Sequence, residues 1–327
     1  MPLHPPLVID PSVFAPEAVP DDARELNRAI LDRLSKAPDI WAYSLPEIRT
    51  ARAAGRGSFP LLPPDPDAIS AQIEGRHGQI GLRILHPKSR LARGVYLHFH
   101  GGGWVMGTAR ENDARLRRLA EATGLTTISV DYRLAPEAPY PMGPDDCESA
   151  ALWLIGEGGA DFDRSFLAIG GESAGAHLAV LSLLRLRDRH AATPFDAALL
   201  TAGCYDLSLT PSVRNWGSDK LILNTRDVGK FVENFLREGE DPADPAISPL
   251  YAKLHGLPPA LFTCGTADLL LDDTLFMAAR WASAGNRAEI DLHAGGCHVF
   301  QAFETAQASA SLARMEAFLD ARIEEKR

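Results

Sequence analysis

The sequence predicts an α/β protein: a central, mostly parallel sheet with helices on both faces. Three observations predict it. From residue 69 onward, short apolar runs alternate with helical-period segments, the pattern of βαβ units. Several of those runs, such as 125–130, are apolar or β-branched throughout, as strands covered on both faces must be. The 327 residues, 46% hydrophobic and 23% charged, are enough for one large core with an added subdomain.

Taken in order, residues 1–20 are Pro-rich and read as extended, and Asp21-Asp22 opens a helix with Leu26, Ile30, Leu31 and Leu34 on one side. The Pro-rich stretch 59–67 reads as a linker. Strands are predicted at 69–74 and 80–85 around the turn Gly75–Gly78, then at 94–99, 125–130, 166–169, 197–200, 260–264 and 288–292. Helices are predicted at 110–122, 145–155, 174–186, 273–284 and 308–323. The segment 206–245 breaks the alternation. It is polar, carries Trp216, Phe231 and Phe235, and is long enough to be a lid.

Charge and composition exclude several classes. Thirty-three basic against 43 acidic residues give a net charge of −10, which repels phosphate backbones and argues against nucleic-acid binding. No apolar run reaches the ~18 residues of a membrane span. The start, Met1-Pro2-Leu3-His4-Pro5-Pro6, lacks the basic and apolar regions of a signal peptide, so a cytoplasmic protein is expected. Cys147, Cys204, Cys264 and Cys297 form no CxxC pair and read as reduced, buried thiols. His98-Phe99-His100 has no metal-ligand continuation, and no Gly-Lys-Ser/Thr or dinucleotide glycine spacing is present. Neither a metal nor a cofactor is expected.

Chemistry concentrates at two glycine motifs. Gly171-Glu172-Ser173-Ala174-Gly175 lies between a predicted strand and a predicted helix. A serine there sits on a strained turn above a helix N-terminus, and small neighbours let the backbone close in. His100-Gly101-Gly102-Gly103-Trp104 directly follows another strand. Its unhindered backbone N–H groups can donate to an oxyanion. A nucleophilic serine needs a base, and the base an orienting carboxylate. In sheets with this serine turn, the chain order is serine, acid, histidine. His298 follows Gly295-Gly296-Cys297 just past the last strand and is the preferred base; His293 ends that strand, and His255 precedes the late strands. Asp268 follows the strand 260–264 and is the preferred acid, where active-site groups of open sheets collect. Asp272 and Asp273 read as helix caps, and Asp291 lies within a strand. Asp131 and Arg133 read as a brace for the oxyanion loop, and His177 as a packed residue beneath Ser173. Trp104, Trp216 and Phe231 are candidates for the substrate pocket.

The chain resembles the α/β-hydrolases of the hormone-sensitive-lipase type, the carboxylesterase branch. The resemblance covers roughly residues 70–325. It rests on His100-Gly101-Gly102-Gly103-Trp104, on Asp131-Tyr132-Arg133-Leu134-Ala135-Pro136-Glu137, on Gly171-Glu172-Ser173-Ala174-Gly175, and on His298 with Phe300. It implies Ser173 as nucleophile, His298 as base and Asp268 as its partner, with oxyanion amides from Gly102, Gly103 and Ala174. It also implies one α/β-hydrolase domain over 1–327 whose helical cap is formed by about 1–50 and about 207–245, and, as in many members, a homodimer. The expected activity is hydrolysis of short-to-medium acyl esters through an acyl-enzyme. Amide, formamide or lactone hydrolysis by the same triad is the alternative. A non-catalytic receptor is a third reading, since plant gibberellin receptors resemble the family but lack the histidine. The chain departs from the family pattern at Glu172, where Asp is usual, and at Ala176, Leu269-Leu270 and Val299.

Overall fold

The computed structural model describes residues 6–327. The predicted extended start therefore falls partly outside the described residues. From Pro11 it is not extended: two 3-10 turns form, Pro11–Phe14 and Pro16–Ala18. Asp10 starts the first by accepting the Ser12 N–H at 2.9 Å, and each has a proline in its first turn.

Eight strands make one sheet. They are β1 (Ile69–Gly75), β2 (Gly78–Leu85), β3 (Val95–Phe99), β4 (Thr126–Asp131), β5 (Leu167–Glu172), β6 (Ala197–Thr201), β7 (Ala260–Gly265) and β8 (Ala288–His293). Their spatial order is β1-β2-β4-β3-β5-β6-β7-β8. β2 pairs antiparallel with β1 and β4, and every other pairing is parallel. The β1–β2 hairpin turns at Arg76-His77 into Gly78, whose φ of 108° suits a residue without Cβ.

The helices are α1 (Asp21–Ser35), α2 (Leu45–Ala51), α3 (Asp113–Thr123), α4 (Met142–Ile155), α5 (Ala174–His190), α6 (Pro211–Trp216), α7 (Thr225–Phe235), α8 (Leu271–Ser283) and α9 (Ala306–Lys326). Strand periodicity sorts the core into two layers. Tyr96, Ala168, Leu199 and Leu261 face α3 and α9, meeting Leu116, Leu119, Phe318 and Leu319. Their neighbours Leu97, Ile169, Leu200 and Phe262 face the other way, into a core shared with α4, α5 and α8. Both faces are thus covered, which is why β3, β5, β6 and β7 are buried at every position.

Two stretches stand outside these layers, and they pack on each other. The segment 206–245 holds α6 and α7. α7 buries Val228, Phe231 and Phe235 on one face and is started by a capping box between Asn224 and Asp227. Trp41, in the turn before α2, meets Phe231 edge-on with ring centres 5.3 Å apart and donates its indole N–H to Asp227 at 2.7 Å. Ile30 of α1 joins Leu221, Ile222, Phe300 and Ala308 in a separate apolar cluster.

Candidate active site

β5 runs through to Glu172, and the chain turns sharply at Ser173, with φ 55° and ψ −122°, before α5 begins. This left-handed backbone is costly for a serine, and the packing around it holds it there. A Cβ on Gly171 or on Gly175 would overlap the carbonyl oxygen of Phe99. Both glycines therefore let β3 and the serine turn meet.

The late loops supply the other two groups. Asp268 follows β7 and His298 follows β8. His298 Nε2 lies 3.0 Å from Ser173 Oγ, and its Nδ1 lies 2.9 Å from Asp268 Oδ2. All three residues are buried. Asp268 Oδ1 accepts the Leu270 N–H at 2.9 Å, which fixes the carboxylate plane. With the Nδ1 proton given to Asp268, the Nε2 lone pair faces the serine hydroxyl. The rival pair is occupied elsewhere: His293 Nε2 lies 2.9 Å from Asp291 Oδ2.

Opposite the serine, the glycine loop turns through φ values of 125° at Gly102 and 59° at Gly103. A Cβ at Gly102 would overlap the Met106 carbonyl, and one at Gly103 would overlap the Phe231 ring. The backbone N–H groups of Gly102, Gly103 and Ala174 find no acceptor among the described residues, while Gly102, Gly103 and Ser173 line one cleft of about 640 Å³. Unpaired donors of this kind are the groups that can hold a developing negative charge.

Glu172 holds this loop, a role that no local spacing in the sequence marks. Its Oε1 accepts the Gly101 N–H at 2.8 Å, its Oε2 lies 2.9 Å from His98 Nε2, and the Arg115 guanidinium is 3.3 Å away. Burial pushes the carboxyl up, but Arg115 and His98 outweigh it and hold Glu172 at about 2. Tyr132 adds a second hold, donating its hydroxyl to the His100 carbonyl at 2.8 Å. The expected bracing by Asp131 and Arg133 is not what forms. Asp131 accepts the Ala109 N–H, and Arg133 pairs with Asp146 at 2.7 Å and reaches the His77 carbonyl.

Of the three aromatic candidates for the pocket, only Phe231 lines the cleft. Trp104 is buried against Phe235, ring centres 4.7 Å apart, and donates its indole N–H to His177 Nδ1 at 3.1 Å. A buried indole needs an acceptor for its N–H, and here that acceptor lies in the core. His177 in turn donates from Nε2 to the Ile247 carbonyl at 2.7 Å, and burial lowers its pKa to about 4, so it stays neutral. Trp216 also lies off the cleft, its indole N–H on the Asp219 carbonyl at 2.8 Å. The stretch read as a linker is a wall: Phe59 to Leu62 line the cleft.

Among the described residues no group of three or more His, Cys, Asp or Glu side chains is placed to hold a metal. Among the described residues no helix is long and apolar enough to cross a membrane.

Comparison with known proteins agrees with this geometry. The profile of the alpha/beta hydrolase fold matches residues 96–302. The chain belongs to the α/β-hydrolase family. Within it, the chains it is similar to include esterases and a hormone-sensitive lipase. This α/β-hydrolase is 32% identical over 232 residues to a carboxylic ester hydrolase of Mycobacterium tuberculosis, covering 68% of this chain and 61% of that one. It is 31% identical over 253 residues to an arylesterase of Saccharolobus solfataricus, covering 76% and 81%. A hormone-sensitive lipase from a metagenome library superposes with a TM-score of 0.80 at 26% identity, covering 93% of this chain and 99% of that one. The match thus spans less than two thirds of the mycobacterial relative's length.

Proposed function

We propose that this α/β-hydrolase is a serine carboxylesterase acting on small ester substrates with short-to-medium acyl chains. The observation that carries the reading is the continuous hydrogen-bonded line from Asp268 through His298 to Ser173, facing unpaired N–H groups. Relatives named as esterases support it.

In the proposed reaction, His298 Nε2 takes the Ser173 proton as Oγ attacks the ester carbonyl. The N–H groups of Gly102, Gly103 and Ala174 hold the oxyanion; loss of one such donor typically costs ~10²–10³ in rate. The imidazolium, paired with Asp268, gives its proton to the leaving alcohol, and an acyl-Ser173 ester remains. Water then repeats the sequence with His298 as base, releasing the acid and restoring the hydroxyl. The residues at about 1–50 and about 207–245 act as a cap over the cleft, supported by Ile40, Leu223 and Phe231 in its wall. Four buried, unpaired cysteines support a reducing, cytoplasmic setting.

The complete relay favours an enzyme over a receptor on the same fold. Hydrolysis of 4-nitrophenyl esters from acetate to dodecanoate, beside Ser173→Ala and beside the anilide of one shared acyl group, tests the reading. Ester turnover that vanishes in the variant is expected. A folded protein that turns over the anilide alone, or binds the esters without turnover, overturns it.

A further inference from the structure

Residues 57–62 form a strap across the mouth of the cleft, and its exposed leucines are unexplained by the reaction. Leu61 and Leu62 remain 47% and 43% exposed although both line the cleft that holds Ser173. Large apolar side chains left in water at the mouth of a binding cleft mark a surface that something apolar covers.

The strap is held in place. The Arg33 guanidinium of α1 donates to the Gly57 carbonyl at 3.3 Å and to the Ser58 carbonyl at 2.5 Å. The ring of Phe59 packs on Phe303, five residues past His298, with centres 5.8 Å apart. Gly55, at φ 76°, turns the chain into the strap, Pro60 restricts its backbone, and Pro63 restricts Leu62 before it. The leucines are therefore presented on a pre-ordered segment, so covering them costs little ordering entropy.

We propose that Leu61 and Leu62 are specificity-determining residues: they form a hydrophobic subsite for an alkyl chain of the ester that extends from Ser173 to the cleft mouth. The proposal rests on the esterase reading and names its substrate class, esters carrying a medium-length apolar chain. The cleft volume of about 640 Å³ fits this class, because sites of ~300–1,000 Å³ take drug-sized ligands and an acetyl ester of a small alcohol would leave most of it empty. The same chemistry can come from either side of the ester bond, as a fatty acyl group or as a fatty alcohol.

The test measures kcat/KM for Leu61→Ser, Leu62→Ser and the double variant. One series is 4-nitrophenyl acetate against decanoate, which varies the acyl side. The other is ethyl acetate against decyl acetate, which varies the alcohol side. A fall of about tenfold in the long-to-short ratio of kcat/KM is expected in at least one series, the discrimination of one or two methylenes in an apolar pocket. The series that responds identifies the side of the ester on the strap. Equal effects on long and short substrates, or no effect in either series, overturn the subsite. Should the double variant fail to fold, the single variants at these half-exposed positions decide. The unaltered protein gives an independent reading: its kcat/KM must rise with chain length in one series. Short-chain turnover without that rise refutes the subsite and leaves the esterase reading standing, whereas no turnover on any ester refutes the esterase reading itself.

Discussion

Glu172 accepts the backbone N–H of Gly101 at 2.8 Å, so the residue before Ser173 holds the glycine loop. The two are 71 positions apart in the chain, and the contact fixes the distance between Ser173 and the unpaired amides of Gly102 and Gly103. Glu172→Gln keeps the length and one acceptor but loses the charge that Arg115 and His98 hold. It is expected to lower kcat by about tenfold to a hundredfold, below the cost of deleting an oxyanion donor outright, with KM nearly unchanged. A change in KM alone would mean that Glu172 shapes the pocket and not the loop.

The same carboxyl makes a prediction about acid stability. Its folded pKa, about 2, lies below its unfolded value of ~4.3. Its contribution is therefore present above pH ~4.3 and is lost as pH falls toward 2. One pKa unit is about 1.4 kcal/mol, so the contribution is on the order of 3 kcal/mol. Urea unfolding between pH 5 and 3 should show a shallower loss of stability for Glu172→Gln than for the unaltered protein. Parallel curves would contradict the assignment.

His177 predicts a different window. Its folded pKa, about 4, lies below the unfolded ~6.5, so the folded state binds fewer protons between these values. Its stabilising effect is complete above pH ~6.5 and is lost as pH falls through 4. Replacing it by Leu leaves the Trp104 N–H and the Ile247 carbonyl without partners, at a cost of about 2–5 kcal/mol at pH 7. The check is chemical unfolding at pH 7. A loss below 1 kcal/mol would mean that these groups find other partners.

Gly103→Ala places a methyl group in the Phe231 ring at a backbone angle of 59°. Activity is expected to fall by at least a hundredfold, because the loop or the ring must move. Adding Phe231→Ala to the same chain removes the obstacle and should restore about tenfold of the loss. An inactive double variant would place the whole cost in the backbone angle.

What was legible in the sequence is what local spacing encodes. The serine turn shows because its glycines lie two residues to either side, and Asp268 and His298 show because each lies in the loop that follows a late strand. Contacts between distant segments did not show. Trp104 is aromatic and sits beside the glycine loop, yet its N–H goes to His177, 73 positions away, so it faces the core. The role of Glu172 depends on a loop from another strand. Prolines at 60, 63 and 64 mark irregular backbone without saying where it lies, so a wall of the cleft read as a linker. The segment 206–245 showed as a break in the alternation, and its helix α7 went unread although Val228, Phe231, Val232 and Phe235 stand at the i, i+3, i+4, i+7 spacing of an amphipathic helix.

The most direct test of the central claim is to trap the acyl-enzyme. The protein is mixed with a 4-nitrophenyl ester, quenched in acid within the first turnover, digested, and its peptides weighed. One added acyl mass is expected, confined to the peptide that contains Ser173 and absent from Ser173→Ala. Hydrolysis with that peptide unmodified, or turnover retained in Ser173→Ala, would contradict it.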